Sequence, residues 1–185
     1  VVPDNYLLDQ VKQEADDLRI KCTTDINDIN FLKGNSILII NMHKLFNGRS
    51  GFGVREKKIP INCIVMDDAH SCIDIASEQS TLSISSDQPE YKKIFNLLKD
   101  SIKEQSEATY IEIESGSPTA YQAIPFWAWD RCFSEILPII HAMINQSGTP
   151  SEKEIYFKWP LVKDYLHVAD SFISSKEISI TLPYV

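Results

Sequence analysis

Cys63-Ile64-Val65-Met66-Asp67-Asp68-Ala69-His70 decides the fold class. Four apolar residues run straight into two acids. A run that is apolar at every position, rather than at alternate ones, predicts a strand covered on both faces, as in a parallel sheet flanked by helices. Open α/β sheets bind their ligands beyond the carboxyl ends of such strands. An acid held there suits Mg²⁺, which keeps most of its water and takes one or two carboxylates. A second acid beside it suits the orientation of a water toward a phosphate. The bare pattern fits a plainer role equally well, in which Asp67 and Asp68 cap a helix starting near Ala69.

Working upstream, Ser36-Ile37-Leu38-Ile39-Ile40-Asn41 is a second continuous apolar run. Val1-Val2 reads as a strand end. Asp4 or Asn5 is placed to cap a helix carrying Leu7, Leu8, Val11, Ala15 and Leu18 at helical spacing. A short strand is expected over 19–22 and a polar stretch over 23–30. Between the two apolar runs, Asn47-Gly48-Arg49-Ser50-Gly51-Phe52-Gly53 is a glycine-rich loop, followed by the basic Arg55, Lys57 and Lys58. The alternation of apolar stretches with helical ones is an α/β pattern.

Downstream, Thr81-Leu82-Ser83-Ile84-Ser85 alternates and predicts a half-exposed strand. After Asp87 the character changes. Pro89 suits a first helical turn, and Tyr91, Ile94, Phe95, Leu98 and Ile102 form an apolar stripe on a charged helix. Gly116-Ser117-Pro118 breaks the chain. A buried helix is expected over 127–144, a loop over 146–152, and a further helix after Trp159-Pro160. Residues 178–182 alternate again. The expected organisation is an α/β portion over 1–86, a mainly helical insertion over 87–170, and a return strand toward the α/β core over 171–185.

With 185 residues, 43% of them hydrophobic and 24% charged, the chain is long enough to bury a sizeable core. Its net charge of −8 argues against binding nucleic acid with its whole surface, though not against a local basic groove. Cys22, Cys63, Cys72 and Cys132 form no Cys-x-x-Cys pair and read as reduced, buried cysteines of a cytoplasmic protein. No apolar run reaches the roughly 18 residues of a membrane span. The opening on Val1, without a methionine, reads as a cut within a longer chain.

The acidic segment resembles the Asp-Glu-x-His box of superfamily 2 DEAD/DEAH helicases, with Asp68 where most members have glutamate. The resemblance reaches upstream. Val1-Val2-Pro3 followed by Leu7-Leu8-Asp9-Gln10 looks like the strand–proline–helix element that follows the phosphate loop in that family. The stretch from Ile37 to Leu45 looks like the next strand and turn, which touches the nucleic-acid backbone. The similarity covers about the first 86 residues and implies part of a RecA-like parallel sheet with flanking helices. It also implies Mg²⁺ and ATP as cofactors of the whole protein, with DNA or RNA and the rest of the helicase as partners. By position, Asp67 would hold Mg²⁺, Asp68 would polarise water, and His70 would link the nucleotide site to a domain interface. Pro3, Asn5, Gln10, Asn41, His43, Lys44 and Arg49 would lie along the nucleic-acid path. Aspartate at 68 sets its carboxylate one methylene nearer the backbone, which puts efficient hydrolysis in question.

No Gly-x-x-x-x-Gly-Lys-Ser/Thr occurs, and the 47–53 loop lacks the lysine. Nor is there a Ser-Ala-Thr-like segment after the acidic box. The expectation is therefore a helicase fragment with no ATPase or helicase activity alone. Two other readings stay open. One is a non-catalytic binding or scaffold module whose acids are structural. The other is a metal hydrolase built from Asp67, Asp68, His70 and Asp74. The motor reading expects both carboxylates exposed at a strand's carboxyl end; the scaffold reading expects them bonded to the next helix. Phe126-Trp127-Ala128-Trp129, with Phe133, offers rings for base stacking but suits a core better.

Overall fold

The computed structural model describes residues 1–53, 58–145 and 150–183; Arg55 and Lys57 lie outside them. The chain is mixed α/β and forms two compact units, Val1–Gln79 and Ser80–Val185.

The first unit contains α1 (Asn5–Asp17), β1 (Cys22–Thr23), α2 (Ile29–Leu32), β2 (Ile37–Leu38), α3 (Met42–Leu45) and α4 (Ala69–Gln79). Helix α1 starts where expected, because the Asp4 carboxylate accepts from the Leu7 amide. The short strand expected over 19–22 appears as the two-residue β1, which shares only Cys22 with it. It pairs in parallel with β2, Cys22 opposite Ile37 and Thr23 opposite Leu38.

Backbone bonds carry this alignment further. Val2 forms a parallel bridge with Asn41, through Val2 N to Ile40 O (3.0 Å) and Met42 N to Val2 O (2.8 Å). Val1 is joined to the acidic segment in the same sense, its amino group to Val65 O (2.6 Å) and Asp67 N to its carbonyl (2.9 Å). Four extended segments thus run parallel in the spatial order 22–23, 37–41, 1–2, 63–67. Successive side chains of an extended segment face opposite ways. Val2 accordingly enters a cluster with Leu8, Ala15 and Ile39, whereas Val1 packs beside Met42, Cys72 and Ala76 of α3 and α4.

The expectation that both apolar runs are buried on two faces holds only in part. Ile39 and Ile40 are buried, but Ile37 is 57% exposed and Val65 76% exposed, with Ile64 and Met66 also exposed. The 63–67 segment meets a neighbour only on its Val1 side among the described residues. A parallel strand is covered fully only when strands and helices flank it all round.

The second unit contains β3 (Thr81–Ser85), α5 (Pro89–Gln105), α6 (Glu107–Glu114), β4 (Tyr121–Ala123), α7 (Phe126–Asn145), α8 (Pro150–Val162), β5 (Asp170–Ser174) and β6 (Glu177–Thr181). The strands form an antiparallel sheet in the order β3-β6-β5-β4. Leu82, Ile84, Ile173, Ile178 and Ile180 point from one face into a core with Ile94, Leu98, Ile102, Trp129 and Ile140 of the helices.

Several expected boundaries change. β3 pairs along its length with β6, Leu82 opposite Ile180 and Ile84 opposite Ile178, so 80–86 belongs to this unit and not to the first. The strand expected to return to the first sheet over 171–185 is instead, among the described residues, the β5–β6 hairpin, whose strands pair with each other and with β4 and β3. The stretch 87–170 is mainly helical but holds β4, three residues long, and begins β5, where Ser171 faces inward and Phe172 outward, so no apolar alternation marks the strand. Helix α8 begins at Pro150 and passes through Pro160, because burial of Ile155, Trp159 and Val162 outweighs the amide that Pro160 lacks.

Candidate functional site at the carboxyl edge of the parallel sheet

Because the segments of the first unit are parallel, their carboxyl ends share one edge. Val1-Val2 ends there at Pro3, 37–41 ends at Asn41, and 63–67 ends at Asp67. A helix starts directly after each: α1 behind Asp4, α3 behind Asn41 and α4 behind Asp68. Three segment ends and three helix starts side by side form the arrangement in which open α/β sheets receive ligands.

The two acids differ sharply. The Asp67 carboxylate is exposed, and no hydrogen bond reaches it among the described residues. Asp68 is exposed but engaged: Oδ1 accepts from the Ser71 amide (3.3 Å) and Oδ2 from the Ser71 hydroxyl (2.7 Å). The Ser71 hydroxyl, then its amide, hold the Asp68 carboxyl below the ordinary carboxylate value. Asp68 also takes a left-handed backbone, φ 50°, which aspartate tolerates better than most residues. The turn from extended segment to helix is made within this one residue. Ser71 was not anticipated; the signal that could have found it is an aspartate three residues ahead of it at a helix start, where an acid accepts from the amide three residues on.

His70 faces solvent and lies 3.9 Å from Asp74, a surface pair of small energy. No group of three or more His, Cys, Asp or Glu side chains is arranged to hold a metal among the described residues. The self-contained hydrolase of Asp67, Asp68, His70 and Asp74 therefore loses its geometric basis.

The residues expected along a nucleic-acid path divide. Pro3 is buried. Asn41 is buried too: its Oδ1 caps α3 through the Lys44 amide (2.9 Å) and its Nδ2 donates to Asn5 Oδ1 (2.7 Å). Gln10 is exposed and donates to Glu14 (3.2 Å). His43 is exposed, with Nδ1 3.2 Å from Nε2 of Gln79, which ties α3 to α4. Lys44 presents its side chain to solvent, while the Arg49 amide donates to Asn47 Oδ1 (2.7 Å) inside the glycine-rich loop. Pro3, Asn5, Asn41, His43 and Lys44 thus gather at the edge that carries Asp67, whereas Gln10 lies further along α1.

Beside the exposed part of the sheet lies a cavity of about 660 Å³, lined by Ile37, Leu38, Phe52, Ile61, Ile64 and Val65 among other mainly apolar side chains. Cys63, expected to be buried, is exposed in the open segment; Cys72 is buried and donates its thiol to Asp67 O (3.6 Å). In the second unit the expected aromatic cluster splits, with Trp129 in the core and Phe126 and Trp127 half exposed.

No helix is long and apolar enough to cross a membrane among the described residues. Comparison with known protein families, curated proteins and solved structures finds no match to this chain.

Proposed function

We propose that this chain is part of an ATP-dependent nucleic-acid helicase or translocase of the superfamily 2 kind. It would contribute the acidic box and part of the nucleic-acid path, within one portion of a RecA-like sheet. The observation that carries the reading is the shared carboxyl edge, where an unbonded Asp67 carboxylate ends one parallel segment and Pro3 and Asn41 end the next two. Mg²⁺ needs no full protein cage, so a single free carboxylate with phosphate oxygens and water is a fitting donor set. Bound there, the ion would neutralise phosphate charge. Asp67 would hold it from the end of an extended segment, and His43 and Lys44 would offer donors to a phosphate backbone. The open apolar segment 63–66 and its cavity fit a docking surface for the rest of the motor, where a phosphate-loop strand would complete the sheet.

The scaffold reading keeps one specific observation of its own, because Asp68 spends both carboxylate oxygens on Ser71. In the motor reading this bond must open, or Asp68 must act in its bonded position.

The deciding test is the coding sequence upstream of Val1, followed by nucleic-acid-stimulated ATPase of the whole gene product. The motor reading expects Gly-x-x-x-x-Gly-Lys-Ser/Thr within about 30 residues, one βαβ unit, and turnover lost in Asp67→Asn. A gene starting at Val1, or an ATPase indifferent to Asp67→Asn, leaves the scaffold reading in its place.

A further inference from the structure

The outer face of the β3-β6-β5-β4 sheet is a second surface with a chemistry of its own. Inward residues alternate with Thr81, Ser83 and Ser85 on β3, Glu177, Ser179 and Thr181 on β6, Asp170, Phe172 and Ser174 on β5, and Tyr121 and Ala123 on β4. Strand register sets Phe172 between Ser179 and Ala123, with Tyr121 opposite Ser174. Phe172 and Tyr121 are 42% and 68% exposed, and their rings meet edge-on at 6.3 Å. Asp170 lies two residues from Phe172 on the same strand and the same face. Glu177 occupies the diagonal position on β6, because Phe172 pairs with Ser179. Both carboxylates are exposed, and no hydrogen bond or ion pair reaches either among the described residues.

Exposed aromatic rings on an open four-stranded sheet suit base stacking in principle. Here a phosphate backbone crossing Phe172 would meet carboxylates on two sides, and nucleic-acid affinity comes mainly from phosphate neutralisation. A cation gains from every group that a phosphate would lose to: the ring face attracts it, and both carboxylates pair with it. Arginine suits this best, because its planar guanidinium stacks on a ring while its edge donates in the ring plane.

We propose that this face docks an extended, arginine-bearing segment of a partner protein. One guanidinium lies over Phe172 and Tyr121 and bonds to Asp170, with the Glu177 charge on its other side, and the Ser and Thr rows receive the polar backbone of the segment. This is independent of the helicase reading, since every residue involved lies in the second unit.

The test uses the full chain and three fluorescent probes: an alternating Ser-Arg peptide, its Ser-Lys counterpart and a ten-residue oligothymidylate. Anisotropy titrations at physiological salt should show the arginine peptide binding most tightly. Phe172→Ser and Asp170→Asn should each weaken it by roughly tenfold, the scale of a desolvated cation–π contact. Glu112→Gln, which removes one exposed charge from α6, should leave binding within about twofold. Circular dichroism would verify that each variant stays folded. Equal losses in Asp170→Asn and Glu112→Gln would reduce the effect to net charge and overturn the proposal. So would no binding of the arginine peptide, or tighter binding of the oligothymidylate that Phe172→Ser abolishes.

Discussion

Asn41 Nδ2 donates to Asn5 Oδ1 at 2.7 Å, joining the cap of α3 to the first residue of α1 across two neighbouring parallel segments. Asn41 is 8% exposed, so its amide satisfies two demands at once in a place water barely reaches. Asn41→Ala should therefore cost about 2 kcal/mol, one part from the lost cap and one from the lost hydrogen bond. Asn5→Ala should cost about 1 kcal/mol, since the cap remains. Urea unfolding curves of the two variants measure both, and equal costs would show that the bond between them carries the whole effect.

Asp68 and Ser71 make a prediction in pH. The folded carboxyl titrates below its ordinary value of 3.8 because Ser71 donates to the ionised form. A depressed carboxyl contributes stability that is present above the unfolded value and is lost as pH falls through the folded one. Ser71→Ala should raise the Asp68 titration toward the ordinary value. Carboxyl-carbon NMR titrations of the two proteins read this directly; an unmoved midpoint would mean that Ser71 is not the cause.

Tyr110 makes the opposite prediction at high pH. Its hydroxyl donates to Glu114 at 2.6 Å, and that bond, with burial and the Glu114 charge, pushes its pKa to about 12. A raised folded value means that this contribution is complete below the unfolded value of 10.0 and is lost as pH rises through about 12. Ultraviolet difference titration of the wild type against Tyr110→Phe isolates this phenol. Glu114→Gln should bring its midpoint down.

The cysteines should label in order. Cys63 is exposed, Cys22 and Cys132 are intermediate, and Cys72 is buried at 0%. A thiol reagent at neutral pH should modify Cys63 first and Cys72 only with unfolding, which peptide mass analysis over time resolves. Burial also raises the Cys72 and Cys132 thiols above their ordinary range, which slows them further.

Core truncation should separate a structural loss from a functional one. Leu98 is wholly buried among Ile94, Ile102 and Trp129. Leu98→Ala should cost about 3 kcal/mol by transfer and cavity terms together. Asp67→Asn, on an exposed side chain without a bonded partner, should change stability by less than about 0.5 kcal/mol. A larger loss in Asp67→Asn would return this residue to a structural role.

The sequence by itself determined the local elements. Asp4 before Leu7 and Leu8 sets the start of α1, Pro89 opens α5, and the alternation of Thr81 to Ser85 makes β3 half-buried, because capping and side-chain period are decided within a few residues. It also marked Asp67 and Asp68 as a pair at the end of an apolar run. Only the tertiary structure parted them, leaving Asp67 free and turning Asp68 back onto Ser71, since a positive φ at one residue leaves no trace in composition. It likewise decided that β3 belongs with β6, where Thr81 and Thr181 hydroxyls meet at 3.3 Å from positions 100 residues apart. And it decided that Ile64 to Met66 stay exposed, because burial depends on neighbours that no single apolar run specifies.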